Sequence, residues 1–395
     1  MKPALAAQPV PPLVKIESAQ PALEELHRRL LELEFQMLER YPWPGGLSRL
    51  YFEPAICARW LIGASNCWQA SAFASAYSAL LHRIHPSLRL LQQAFLLCEP
   101  VPAASLENLF SAESCRRWKE AGLLEAVNGS LISRVRATPW RGKIFWHDPP
   151  PNFRESFVFC GPDSISFAHH LEAELKRSPG RRYKRALDVC TGSGIHALML
   201  SERADRIVGA DLNPRAIAYA RLNARLQNRG AIQFILSDLL KQVPSGRYDL
   251  VVSNMPLLFL PEPLRSSCLD GNAGRMGIEL PLQLLDQLGD RLAENGVALL
   301  HVNSAVAGGR DLLTDEIRKR FADRNWLVEL RPTHEFYEPA FDAFYREHQI
   351  QRFITYVVRI QAGGQGRMRL KHLRLSIPRK AVCTLRIAVV RRLAR

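Results

Sequence analysis

Apolar positions change their spacing partway along the chain. In the first 148 residues they recur mostly at helical intervals. Leu23, Leu26, Leu30, Leu31, Leu33 and Met37 predict a helix over residues 21–40, ended by Tyr41-Pro42-Trp43-Pro44-Gly45-Gly46. A second helical stretch, near 54–83, is rich in small residues and carries Trp60, Trp68, Phe73 and Tyr77, a stripe read as core. Residues 88–97, 104–110 and 112–121 predict three short helices, and Asn128-Gly129 predicts a tight hairpin. Pro149-Pro150-Pro151 then interrupts both helix and sheet.

Beyond that break the segment 157–175 predicts a short strand, Gly161-Pro162 and a helix. From residue 184 to about 360 short apolar runs alternate with helical patterns. Strands are expected near 185–189, 206–210, 232–236, 248–252, 297–302, 326–330 and 353–360. Such alternation predicts an α/β, doubly wound, mostly parallel sheet of seven strands. The sixth strand should run parallel to the others. The loop after it, THEFYEPAFDAFYREHQI, with five aromatic residues and two histidines, then leaves from the ligand-binding edge.

The first of these strands carries Asp188 near its end and runs into Thr191-Gly192-Ser193-Gly194 before a helix begins at Ile195. Glycines let the backbone bend sharply and let a ligand approach. The new helix offers free N–H groups. The second strand ends in Asp211, placed to accept bonds from ribose hydroxyls. A dinucleotide fold fits the near-match to G-x-G-x-x-A at 192–197, but that pattern alone is weak. Two further strand ends decide: Asp238 closes the third, and Asn254-Met255-Pro256 closes the fourth.

On DVCTGSG (188–194), GADLNPRAIAYARLNA (209–224), SDLL (237–240), DLVVSNMP (249–256) and DGNAGRMGIELPLQLLDQL (270–288), the chain resembles class I S-adenosylmethionine-dependent methyltransferases. It is most similar to the branch that methylates planar amide or amine nitrogens, including the release-factor and ribosomal-protein glutamine methyltransferases. The resemblance implies S-adenosyl-L-methionine as cofactor. Asp188, Thr191, Gly192 and Gly194 are expected near its methionine part, Asp211 at the ribose, and Asp238 at the adenine, with Asn254 also bordering the cofactor. Ser237 and Leu239 flank the ring in this reading, and Cys190 and His196 are packing residues. Phe157, Phe159 and Phe167 either wall the cofactor cleft or belong to the core.

An amide or aromatic amine nitrogen is a poor nucleophile because its lone pair is delocalised. A site for it should hold its N–H groups and aim the lone pair. Asn254 offers a side-chain oxygen, Met255 a backbone carbonyl, and Pro256 a stiff turn without a donor. These three are the expected catalytic residues. The family pattern is Asn-Pro-Pro followed by an aromatic; here Met255 and Leu257 stand at its second and fourth positions. Leucine cannot stack on a flat group as a ring does. Phe259 is the expected substitute, with Phe336 and Tyr337 as further substrate contacts. The departure moves weight from a nucleobase or glutamine towards a small-molecule acceptor.

Composition adds boundaries. The chain has 395 residues and a net charge of +15. Residues 362–395 hold ten Lys/Arg and no acid, leaving about +5 on the rest (15 minus 10). That basic tail points to an anionic surface, RNA or membrane phosphates, or is a solvated chain end. Its Val382, Leu385, Ile387, Val389 and Val390 allow an amphipathic docking segment. Eight cysteines without a C-x-x-C pair read as reduced core residues of a cytoplasmic protein, and no metal site is expected. No stretch reads as a transmembrane segment or signal peptide. The expected organisation is a mobile N-terminus (1–17), a helical, winged-helix-like accessory domain (18–148), the methyltransferase domain (149–361) and the tail (362–395).

The expected function is methyl transfer to an amide or amine nitrogen of a protein or RNA of the translation apparatus. The alternatives are a small-molecule methyltransferase and a non-catalytic, cofactor-sensing winged-helix regulator. In the accessory domain Arg116, Arg117 and Lys119 are balanced by Glu113 and Glu120, which favours a packing or substrate-guiding role over DNA reading.

Overall fold

The computed structural model describes residues 13–39, 86–149, 156–321, 324–363 and 367–370. The predicted helix at 54–83 and its aromatic stripe lie outside them. The chain divides into two units. One contains described residues 13–39 and 86–149, and the other contains described residues from 156 onward.

In the first unit helix α1 (Ile16–Glu32) begins five residues before the expected start at Pro21. The reason is burial: Val14, Ile16 and Ala19 are all under 8% exposed, so the end of the supposed mobile stretch is packed. A 3-10 turn follows at Phe35–Glu39. Helix α2 (Pro86–Leu91) continues as a π turn to Leu96. Strand β1 (Val101–Pro102), helices α3 (Ala103–Phe110) and α4 (Ala112–Glu120), and strands β2 (Leu124–Val127) and β3 (Ser130–Ser133) complete a helix–turn–helix with a three-stranded sheet in the order β1-β3-β2. Asn128 and Gly129 both have positive φ, as the tight hairpin turn requires. A second hairpin, β4 (Arg136–Trp140) and β5 (Lys143–His147), turns through Arg141-Gly142, also at positive φ. It was not expected, because Arg-Gly is a weak turn signal. The arginines of α4 are spent locally: Arg116 pairs with Glu113 and Glu120, and Arg117 with Glu113 and Glu25.

Among the described residues the second unit opens with helix α5 (Pro162–Arg177); residues 156–161 form no strand, although one was expected from residue 157. Strands and helices then alternate: β6 (Tyr183–Val189), α6 (Ile195–Leu200), β7 (Ala204–Asp211), α7 (Pro214–Leu226), β8 (Gln233–Leu236) and β9 (Tyr248–Asn254). Short helix α8 (Leu264–Ser267) and helix α9 (Glu279–Gln287) lead to β10 (Leu292–Ala307) and β11 (Arg310–Asp311). Helix α10 (Leu312–Phe321), β12 (Trp326–Phe336), α11 (Asp342–Glu347), β13 (Ile350–Ala362) and β14 (Arg367–Leu370) follow.

The sheet order is β14-β12-β13-β10-β9-β6-β7-β8, with β11 beside β10. Seven of its nine strands are those expected. Strands β10, β9, β6, β7 and β8 pair in parallel, and β13 inserts antiparallel between β10 and β12. Strand β12 is thereby parallel to the central set. The two additions are short. Strand β14 pairs in parallel with β12 and carries the sheet past the boundary drawn at 361 into the segment read as a tail.

Leu187, Val189, Val251, Leu285, Leu300, Val328 and Val358 share one buried cluster between sheet and helices. Each such side chain contributes about 1.5–3 kcal/mol through burial. Central parallel strands covered by helices read as apolar runs for this reason. The exceptions are informative: Asp188, Ser253, His301, Asn303 and Ser304 on the parallel strands, and Thr355 on antiparallel β13, are fully buried.

Candidate active site

The carboxyl ends of β6, β7, β8 and β9 lie side by side, since these strands are parallel neighbours. Loops leaving that edge form the crevice where open α/β sheets take ligands.

After β6 the chain turns through Cys190, Gly192 and Gly194, all at positive φ. Nothing lies within 4 Å of the space a Cβ on Gly192 would occupy, so this glycine leaves an open cradle. Gly194 has another reason. A Cβ there would meet Ala220 Cα at 3.1 Å, so the turn packs directly on α7. Asn223 of α7 fastens it by donating from Nδ2 to Ser193 O at 2.9 Å. Asp188 holds the turn from beneath: Oδ2 accepts from Thr191 Oγ1 (2.6 Å) and from the Ala197 N–H (3.0 Å). Its other oxygen, Oδ1, is buried without a hydrogen-bond partner. Burial pushes the Asp188 carboxyl up to about 7.

Asp211 accepts from the Gly192 N–H through Oδ2 and from the Asn213 N–H through Oδ1, both at 2.9 Å. Burial raises its pKa despite these bonds. Asn213 caps α7 and donates from Nδ2 to Phe157 O. Asp238, after β8, is half-exposed and pairs with Lys241 at 2.5 Å. Ser237 bonds its neighbour Leu239 through the carbonyl, and Leu239 is held at positive φ. These residues fit a cofactor with a polar amino-acid end and a ribose. The open glycine cradle, the unpartnered buried Oδ1 of Asp188 and the acid at the end of β7 meet at one edge.

Asn254 ends β9, the strand beside β6. Its Nδ2 donates to Asp163 Oδ2 (2.8 Å), at the start of α5, and its Oδ1 lies 2.7 Å from Nδ1 of His301 on β10. Burial raises the Asp163 carboxyl and holds His301 well below its ordinary value, hence neutral. The Asn254 oxygen, expected to be free for a substrate, therefore already accepts one bond and has one lone pair left.

Met255 is 1% exposed and belongs to the sheet core, so only its backbone borders the crevice. Pro256 and Leu257 are half-buried. Leu257 O accepts from Nδ2 of Asn303, two residues beyond His301. Phe259 does not replace the missing aromatic at the site. Its ring is 2% exposed and packs against Phe344 at 4.6 Å and His348 at 5.0 Å. Tyr337 is likewise buried, donating to Asp342, in the same satellite cluster. Phe336 remains half-buried, stacked on Phe353 at 5.2 Å. The aromatic loop after β12 thus mostly makes a core of its own. Phe157 and Phe167 are also buried, Phe167 stacking on His301 and meeting His196 edge-on. His196 bonds Ser164 O through Nε2 and is a packing residue.

Sequence reading passed over Asp163, His301 and Asn303. A signal existed for two of them. In VALLHVNSAV, polar His301 and Asn303 alternate with apolar residues and so point to one face of an otherwise apolar strand.

The family described as "Methyltransferase domain" matches residues 186–273, which span the glycine turn, all three acids and Asn254. The chain is 30% identical over 164 residues to the ribosomal protein uL3 glutamine methyltransferase of Xanthomonas campestris, covering 36% of this chain and 53% of that one. It is 30% identical over 151 residues to the release factor glutamine methyltransferase of Koribacter versatilis, covering 35% and 53%. With the ribosomal protein L11 methyltransferase of a Caulobacter strain it shares 26% over 187 residues, covering 39% and 65%. The chain spans about half the length of the first two relatives. The match at 186–273 runs from β6 past the end of β9, so that part of the chain is a methyltransferase domain.

Proposed function

We propose that this protein transfers a methyl group from S-adenosylmethionine to an amide or amine nitrogen of a protein or RNA of the translation apparatus, in the cytoplasm. The observation that carries the reading is Asn254. It stands at the end of β9, beside the glycine turn of β6, with its amide orientation fixed and one oxygen lone pair left. The relatives' names support the translation apparatus as target. Among the described residues no helix is long and apolar enough to cross a membrane.

When bound, S-adenosylmethionine supplies an electrophilic methyl group on a sulfonium. Gly192 would admit its amino-acid end to the backbone, Gly194 lets the turn pack on α7, and the spare oxygen of Asp188 would take a polar hydrogen there. Asp211 offers carboxylate oxygens to ribose hydroxyls, and Asp238 borders the base. Asn254 Oδ1 accepts an N–H of the acceptor, which turns the nitrogen lone pair towards the methyl carbon. The Met255 carbonyl takes a second N–H, and Pro256 holds the turn stiff. Orientation of this kind aims the lone pair, and the proton that the nitrogen gives up on gaining the methyl group would pass to solvent.

A second reading, a small-molecule acceptor, is favoured by Leu257, which offers no ring to a flat target, and by the burial of Phe259. The experiment that separates them uses S-adenosylmethionine with a tritiated methyl group, the full chain and a bacterial lysate. The lysate is then sorted into protein, RNA and small-molecule fractions. Label in protein or RNA supports the proposal. Label confined to small molecules replaces it with the second reading. A protein that binds the cofactor and labels nothing is the cofactor-sensing regulator instead.

A further inference from the structure

We infer that His301 and Asn303 are positioning residues for the reactive turn Asn254–Leu257, an inference that rests on methyl transfer at Asn254. Both side chains are fully buried in the middle of β10, a strand otherwise apolar from Val297 to Val302. Being two residues apart, they emerge on the same face and reach the two ends of one four-residue segment. His301 Nδ1 meets Asn254 Oδ1 at 2.7 Å, and Asn303 Nδ2 donates to Leu257 O. The backbone adds a third tie, Met255 N–H to His301 O at 3.2 Å.

The direction of the histidine bond follows from its neighbours. Asn254 Nδ2 donates to Asp163 Oδ2 at 2.8 Å, so the amide oxygen, which can only accept, faces His301. His301 must then carry its hydrogen on Nδ1. That leaves Nε2 a bare acceptor, and it is buried with no hydrogen-bond partner. A residue kept only to fill space would not leave such an atom; leucine would fill this place better. The Nδ1–H donor is what the position supplies. It locks the Asn254 amide in one of its two flips and leaves one oxygen lone pair for the acceptor. Asn303 is specified in the same way: its Oδ1 accepts from Thr355 Oγ1 at 2.7 Å, which turns Nδ2 to the Leu257 carbonyl.

The test compares three variants of the full chain. His301→Leu removes the donor and fills the space. His301→Asn places an N–H near where Nδ1–H stood. Asn303→Asp keeps the acceptor for Thr355 and loses the donor to Leu257. Transfer is followed with tritiated S-adenosylmethionine and the protein and RNA fractions of a bacterial lysate. Cofactor affinity is measured by calorimetry with S-adenosylhomocysteine. The expected result is a tenfold or greater fall in transfer rate for His301→Leu and Asn303→Asp at unchanged cofactor affinity. His301→Asn should stay within about threefold of the native rate. Full activity in His301→Leu, or equal loss in His301→Leu and His301→Asn, would overturn the inference.

A second readout needs no turnover. With asparagines labelled by 15N, the side-chain amide pair of Asn254, assigned through Asn254→Ala, should be one sharp pair natively and in His301→Asn. In His301→Leu it should shift and broaden; an unchanged pair overturns the inference. If the native protein transfers no methyl yet this pair responds as expected, the positioning stands and the proposed activity falls.

Discussion

The backbone N–H of Gly192 donates to Asp211 Oδ2 at 2.9 Å, so the turn after one strand is tied to the acid that ends the next. Cofactor affinity and turn geometry therefore depend on the same carboxylate. Asp211→Ala should weaken S-adenosylmethionine binding by roughly 1–3 kcal/mol, the scale of a lost charge-assisted bond together with a freed N–H. Calorimetry on the two proteins measures this. Binding of a nicotinamide dinucleotide in place of S-adenosylmethionine would overturn the reading of the site.

Asn254→Ala should cut turnover about a hundredfold while leaving cofactor affinity nearly unchanged, because its oxygen acts on the reacting nitrogen. The same change frees the donor of His301 and the carboxylate of Asp163. Steady-state rates, read alongside calorimetric affinity, separate the two effects. Native turnover in the variant would remove Asn254 from the chemistry.

Asp188 makes stability depend on pH in a defined sense. In the unfolded chain an aspartate titrates near 4, whereas the folded protein holds this one up to about 7. Below about 4 both states are protonated and the group costs nothing. As pH rises towards 7 the unfolded chain releases its proton and the folded one keeps it, so stability falls by about 1.4 kcal/mol per unit. Above 7 the loss is complete. Asp188→Asn should remove this slope: thermal melts should show the variant gaining on the native protein between pH 4 and 7. Parallel melting curves at all pH values would contradict it.

The basic segment is divided by β14. Arg367–Leu370 pair with Leu327–Leu330 of β12, so a truncation at Gly363 strips a strand from the sheet edge. It should lower the melting temperature. If residues 371–395 bind RNA, their removal should lose an affinity that falls steeply with salt, about one logarithmic unit of slope per phosphate contact. Unchanged RNA and vesicle binding in the shorter protein would leave the segment without that role.

The central sheet was legible because its strands carry their own signals. Apolar runs of strand length, each closed by Asp188, Asp211, Asp238 or Asn254, mark the elements and their ligand-binding ends. The hairpin at Asn128-Gly129 was legible for a similar reason, since the dipeptide itself favours the turn. The hairpin at Arg141-Gly142 and the early start of α1 were not. The first has no strong turn residue, and the second depends on burial of Val14 and Ile16, which local spacing does not encode.

By itself the sequence determined the alternation of strands and helices, and with it which residues stand at strand ends. Those properties follow from spacing and local backbone preference. What surrounds each strand end was decided only by the tertiary structure. Phe259 and Tyr337 look like substrate contacts in sequence, yet their rings close a satellite core with Tyr345 and Phe353. Asn254 looks unencumbered in sequence, yet it is held by Asp163 from 91 positions away and by His301 from 47. Hydrogen bonds and apolar contacts join residues brought together by sheet order. A polar side chain's partners are therefore set by which strand lies beside it, and local sequence does not encode that neighbour.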